Sequence, residues 1–156
     1  MNAMSDLENK ELEIEMKMPY SIKLGREKEV AYTNYIKAEV ADELYKKILK
    51  LLVVDKRYME PDFTAKQLTK ELQTNSRYVS AVFKSRFNCN FCTLVNKLRV
   101  KEVLPMLISE EYAGVRVMDL GKMAGFTNRQ TFYSSFYRWV GTSPEAFRRK
   151  RLREKK

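Results

Sequence analysis

Residues Val117 to Pro144 read VMDLGKMAGFTNRQTFYSSFYRWVGTSP, and almost every apolar, small or turn residue in this stretch falls where a helix-turn-helix needs it. Leu120, Gly121, Ala124 and Gly125 predict one short helix running into a turn. After the turn Phe132, Phe136 and Val140 recur every four residues. That spacing puts three large side chains on one face of a second helix and leaves Arg129, Gln130, Tyr133 and Ser134 off that face. Such a helix is suited to reading DNA, but helical pairs with this spacing also occur in proteins that bind none, so the rest of the chain has to decide.

The 156 residues suffice for one domain or two very small ones sharing a helix, and a hydrophobic content of 44% supplies a core. With five Gly, four Pro and no convincing alternation of apolar and polar residues, the chain reads as all-α. A formal charge of +10 points to a polyanionic partner, nucleic acid ahead of an anionic membrane surface. Residues 1–16 hold five acids and one base, so the other 140 residues carry +14. There is no His, the commonest general base and metal ligand, which argues against catalysis and against a metal or other cofactor. No run of eighteen apolar residues and no secretory leader pattern is present, so the expectation is a cytoplasmic chain without membrane contact.

Met1-Asn2-Ala3-Met4 reads as an addition ahead of a native start, and residues 5–36 are polar, with Leu7, Ile14 and Met18 giving only a hint of a heptad. Weak order is expected there. From Ala38 to Tyr58 the stripe Ala41, Leu44, Tyr45, Ile48, Leu51, Leu52 predicts a core helix ended by Pro61-Asp62. Thr64-Ala65-Lys66-Gln67 reads as a capping box opening a helix over Ala65 to Gln73, and Asn75 or Ser76 caps the next, whose buried face is Val79, Val82, Phe83 and Phe87. A second helix-turn-helix therefore precedes the first.

The two are an internal repeat. Leu68 corresponds to Leu120 at an offset of 52, and Val79 to Phe132 and Phe83 to Phe136 at 53, so the downstream turn is one residue longer. Between them Phe91 to Ile108 carries an apolar band too broad for a helix buried on one side, with Pro105 inside it predicting a kink. Ser109 to Arg116 reads as a polar connection. Ser143-Pro144 predicts an N-cap with Pro at the first position of a short helix through Phe147, followed by a tail of seven bases and one acid from Arg148. The domains expected are an acidic N-terminal segment at 1–37, a first helix-turn-helix subdomain with linker helix at 38–109, and a second with the basic tail at 110–156.

Two such units joined by one helix, with Gly125-Phe126, Phe132, Phe136, Gly141 and Pro144 in this order, resemble the DNA-binding domain of AraC/XylS-family transcription regulators over about residues 38–150. The resemblance implies a homeodomain-like fold of about seven helices and two recognition helices in successive major-groove segments roughly 34 Å apart. Residues at the family's base-reading positions are Arg77, Ser80 and Ala81 in the first unit, and Arg129, Gln130, Thr131 and Ser134 in the second. Ala81 has only a methyl to offer. Lys84, Arg86, Arg138, Arg148 and Arg149 are the expected phosphate partners. RNA polymerase is implied as a further partner, and so is an N-terminal sensor domain, for which residues 1–37 are too short. The expected function is a sequence-specific double-stranded-DNA-binding transcription regulator.

Alternatives stand beside each assignment. Gln130 lies three residues after Thr127 and would serve equally to close a capping box. Arg77 and Arg129 would reach either bases or phosphates, and Tyr78 and Tyr133 either border the reading surface or pack. Thr69 and Gly121 stand where the family has Ala, and Gln73 and Asn88 where it has Gly, so strain is expected in the first turn. Cys89-Asn90-Phe91-Cys92 has redox or zinc spacing but no second pair, no His and no βαβ context, so buried or idle thiols are expected. The rival functions are a protein-interaction module that binds DNA only nonspecifically, and an enzyme using a Cys as alkyl acceptor.

Overall fold

A computed structural model describes residues 36–156, which form seven α-helices and no strand. The expectation for 1–37 therefore lies outside the described residues, apart from Ile36 and Lys37. The chain divides by its contacts into two compact units, and the division falls after Val95, inside the linker helix.

In the unit ending at Val95, helix α1 (Ala38–Leu49) buries Ala41, Leu44 and Ile48 at helical spacing. It does not run on to Tyr58 as the stripe suggested. A wider π turn, Lys50–Val54, keeps Leu52 in the core and leaves Val53 and Val54 exposed. At its next two positions beyond Leu52 the stripe meets Asp55 and Lys56, so a continued helix would turn two charged residues toward the core. Lys56 turns left-handed at φ 47°, and a 3₁₀ turn, Arg57–Met59, follows. Arg57 then binds both carboxylate oxygens of Glu71, at 2.7 and 2.6 Å, tying this turn to helix α2 (Ala65–Glu71).

Helix α2 starts where the Thr64 hydroxyl accepts the Gln67 N–H at 3.2 Å. It stops two residues short of the expected Gln73, because Gln73 itself makes the left-handed turn at φ 52°. Helix α3 (Ser76–Val82) is capped by Asn75, whose side-chain oxygen accepts the Tyr78 N–H at 3.0 Å. A π turn, Phe83–Phe87, extends it to Asn88, left-handed at φ 55°. Leu68, Val79, Val82 and Phe83 are buried, and the Phe83 and Phe63 rings meet Phe91 edge-on at 5.9 and 5.3 Å. Such pairs add about 0.5–1.5 kcal/mol each beyond area burial.

Helix α4 (Phe91–Ile108) is the linker, and Asn90 caps it by accepting the Thr93 N–H at 2.8 Å. The helix runs unbroken through Pro105, which lies exposed in the last turns.

The unit beginning at Asn96 is built on Val100, Val103, Leu104 and Leu107 of α4. The connection expected as merely polar contains a 3₁₀ turn, Glu110–Tyr112, opened by Ser109. Helices α5 (Val117–Met123) and α6 (Arg129–Val140) are the second helix-turn-helix, and α7 (Pro144–Glu154) closes the core. A chain of rings runs Phe126, Phe132, Phe136, Phe147 with centroids 5.0, 6.1 and 5.8 Å apart. Gly125 and Gly141 are left-handed at φ 112° and 85°. They sit at the repeat offsets from Gln73 and Asn88, so the duplication extends to backbone conformation.

Helix α7 is longer than the short segment expected. The basic tail stays helical to Glu154, because Arg, Lys, Leu and Glu are all good helix formers. Lys155 also donates to the Ile108 carbonyl at 3.0 Å.

Candidate nucleic-acid interface

Helix α6 carries the side chains expected to read DNA in the second unit. Asn128, one residue before it, accepts the Thr131 N–H at 2.8 Å. Asn128 rather than Thr127 is thus the cap, and the capping-box alternative for Gln130 loses its partner. Phe132, Ser135, Phe136 and Trp139 are buried, with Val140 half-buried. At 100° per residue the opposite face is centred on Gln130, Ser134 and Tyr137. All three are exposed, with Arg129 and Arg138 exposed at the flanks and Thr131 half-buried.

Tyr137 was not among the expected site residues, yet 65% of it is exposed. Its signal was available in its position three residues after Ser134 and seven after Gln130. Conversely Trp139, which the every-fourth-residue pattern omits, is buried. The Lys97 ammonium and Arg138 guanidinium lie 5.3 and 5.4 Å from its ring centre.

Arg129 is held. Its guanidinium carbon lies 4.2 Å above the centre of the Tyr133 ring, inside the range for a cation–π contact. The Tyr133 hydroxyl donates to the Glu145 carboxylate at the start of α7. Burial first, and the bond to Glu145 second, push the phenol above its ordinary pKa, so it remains a donor at neutral pH. Ser134 donates to the Thr131 carbonyl at 3.3 Å, a long bond that leaves the hydroxyl at the surface.

In the first unit Arg77 and Ser80 are exposed and Lys84 is half-buried. Arg77 and Ser80 lie about 60° apart around α3, and Lys84 follows in the π turn. Ala81 is corrected: at 1% exposure it belongs to the core of a unit in which α1 packs against α3, and its methyl does not reach the surface. Arg86 is exposed and paired with Asp42 of α1 at 2.6 Å. That surface pair is worth about 0–1 kcal/mol and is readily exchanged for another anion.

The two tail residues behave differently. Arg149 is exposed. Arg148 is half-buried and donates to the carbonyls of Val115, at 2.7 Å, and Tyr112. It fastens α7 to the turn ahead of α5, and its placement fits a structural role better than the phosphate contact expected of it.

Cys89 is buried and Cys92 exposed, and neither is in a disulfide. Among the described residues no group of three or more His, Cys, Asp or Glu is placed to hold a metal, and no helix is long and apolar enough to cross a membrane.

A family model described as "Helix-turn-helix domain", of AraC/XylS type, matches residues 68–150, more than half of the chain. The chain belongs to the AraC/XylS-type helix-turn-helix family. This is a family of DNA-binding transcription regulators, not of enzymes. The chain is similar to the melibiose operon regulatory protein of Escherichia coli, 23% identical over 86 residues that cover 55% of this chain and 28% of that protein. It thus spans little more than a quarter of the curated relative it matches.

Among solved structures it resembles the C-terminal domain of AraT, a response regulator from Geobacillus stearothermophilus, at TM-score 0.58 and 21% identity, covering 72% of this chain and 85% of the other. It also resembles the C-terminal domain of the two-component response regulator yesN from Fusobacterium nucleatum, at TM-score 0.56 and 23% identity, covering 69% and 97%. These likenesses establish the shared all-helical fold.

Proposed function

We propose that this AraC/XylS-type chain binds double-stranded DNA in a sequence-specific manner, with α3 and α6 entering successive major-groove segments. The observation that carries this reading is the two-sided build of α6. Its Phe132, Phe136 and Trp139 side is locked into the core, while Gln130, Ser134 and Tyr137 face outward beside Arg129.

A packed helix of this kind holds its polar side chains in place, as base readout requires. Arg reads guanine and Gln adenine through paired hydrogen bonds worth about 1–3 kcal/mol of discrimination each. The base-reading set is Arg77 and Ser80 in the first unit and Arg129, Gln130, Thr131 and Ser134 in the second. Lys84, Arg86, Arg138 and Arg149 serve as phosphate contacts, and the +14 carried outside residues 1–16 supplies the attraction that precedes readout. A sensor domain on a longer native chain, contact with RNA polymerase and action in the cytoplasm belong to the same proposal.

The test is selection of duplexes from a random pool, followed by competition. Selected sites are expected to bind about 10³-fold or more better than random competitor at physiological salt. A pool that yields no motif leaves a helical interaction module with only nonspecific affinity for DNA.

A further inference from the structure

Arg129, Tyr133 and Glu145 form a relay from the reading end of α6 to the start of α7. Arg129 and Tyr133 are one turn apart on α6, and the guanidinium lies 4.2 Å from the ring centre. The ring is backed by Phe132, edge-on at 5.4 Å, and its hydroxyl bonds Glu145. Glu145 follows Pro144, the first residue of a helix capped by the Ser143 hydroxyl, which accepts the Ala146 N–H at 3.1 Å. Its backbone position is thus set by the cap and by a residue of fixed φ.

The three side chains line one wall of an open cleft of about 490 Å³ whose other wall carries Arg116, Asp119 and Lys122. Asp119 is engaged by Arg116 at 2.8 Å, so Glu145 is the carboxylate nearest to hand for the Tyr133 hydroxyl. Arg has rotamer entropy to lose on meeting a base, and a side chain already resting on a fixed ring loses less of it.

We propose that Tyr133 and Glu145 are positioning residues that aim Arg129 at its base, so that the start of α7 helps to set the specificity of the second reader. This inference rests on the base-reading role of α6 proposed above. It assigns Tyr133 to neither of the roles open from sequence, border or packing: the ring is a platform for the reading side chain, and the carboxylate fixes the platform.

The test compares motifs selected from a random duplex pool by the full chain and by its Arg129→Ala, Tyr133→Phe, Glu145→Ala and Arg129→Ala/Tyr133→Phe variants, each checked for folding by thermal melting. Arg129→Ala is expected to lower preference at its own base position by roughly tenfold or more. Tyr133→Phe, which keeps the ring, and Glu145→Ala are each expected to lower preference at that same position about threefold or more, with other positions unchanged. In the Arg129→Ala background, Tyr133→Phe is expected to have no further effect there, the non-additivity of groups acting through one another.

Loss of melting temperature with an unchanged motif in both single variants would overturn the positioning role and leave the base-reading role of Arg129 standing. A wild-type chain that selects no motif, or an Arg129→Ala variant that selects the wild-type motif, would overturn the reading role and the positioning role together.

Discussion

Gly121 and Phe132 fit only because Gly121 has no side chain: a Cβ built on it would lie 2.8 Å from Cδ1 of the Phe132 ring. The ring is 0% exposed and packed among the rings of Phe126 and Phe136. At the equivalent positions of the first unit stand Thr69 and Val79, a larger residue facing a smaller one.

Gly121→Ala is therefore expected to destabilise the chain by about 1–3 kcal/mol, the usual cost of overpacking a filled core. In a Phe132→Leu background the same change is expected to cost markedly less, since the smaller side chain leaves space for the methyl. Urea unfolding of the four chains measures both, and equal costs in the two backgrounds would contradict the close fit.

The first turn carries the opposite compromise. Gln73 has φ 52° and Asn88 φ 55°, and an ordinary side chain in that region costs roughly 1–2 kcal/mol, less for Asn. Gln73→Gly is expected to raise stability by about 0.5–1 kcal/mol after the greater unfolded-state freedom of Gly is deducted. Asn88→Gly is expected to change it by less. A fall in stability on Gln73→Gly, read from the midpoint of chemical unfolding, would show the left-handed Gln73 to be supported by contacts worth more than its strain.

The adjacent tail residues separate structure from DNA contact. Arg148 donates to the carbonyls of Val115 and Tyr112, and hydrogen bonds from a charged group are worth about 1.5–3 kcal/mol each. Arg148→Ala is expected to lower unfolding free energy by about 1–3 kcal/mol. Arg149→Ala is expected to leave stability within about 0.5 kcal/mol. It is expected instead to weaken binding to all duplexes alike, with the slope of log affinity against log salt reduced by about 0.9. The reverse assignment, stability lost with Arg149 and salt slope with Arg148, would contradict the placement of the two.

Tyr137 provides a prediction that only its exposure suggests. It is 65% exposed on the outward face of α6, so Tyr137→Ala is expected to leave stability within about 0.5 kcal/mol while, if α6 reads DNA as proposed, weakening DNA binding several-fold in a titration. Unchanged binding would remove it from the interface.

What could be read from sequence depended on how local its cause is. The caps at Thr64, Asn75 and Ser143 and the buried Phe132–Phe136 face are set by residues within one or two turns of each other, and each has a residue-type signature, whereas strain in the first turn was expected only because the family resemblance puts Gly at Gln73 and Asn88. The break after Leu49 depends instead on Arg57 reaching Glu71, fourteen residues away. Arg148 looked like part of a basic run because its carbonyl partners lie 33 and 36 residues upstream. Ala81 was carried over from a position in the family motif, which carries no information about what packs over it in this chain. Of the candidate site, the polar arc of α6 was visible from spacing, whereas the bond from Tyr133 to Glu145 joins two helices and left no local trace.

Whether two separate helices read two separate stretches of DNA is decided by the selected motif of Arg77→Ala set beside that of Arg129→Ala. The wild-type motif is expected to contain two segments centred about 10–10.5 base pairs apart. Arg77→Ala is expected to flatten preference in one segment only and Arg129→Ala in the other. Loss of preference in the same segment from both substitutions, or a wild-type motif confined to a single short segment, would contradict the two-reader account.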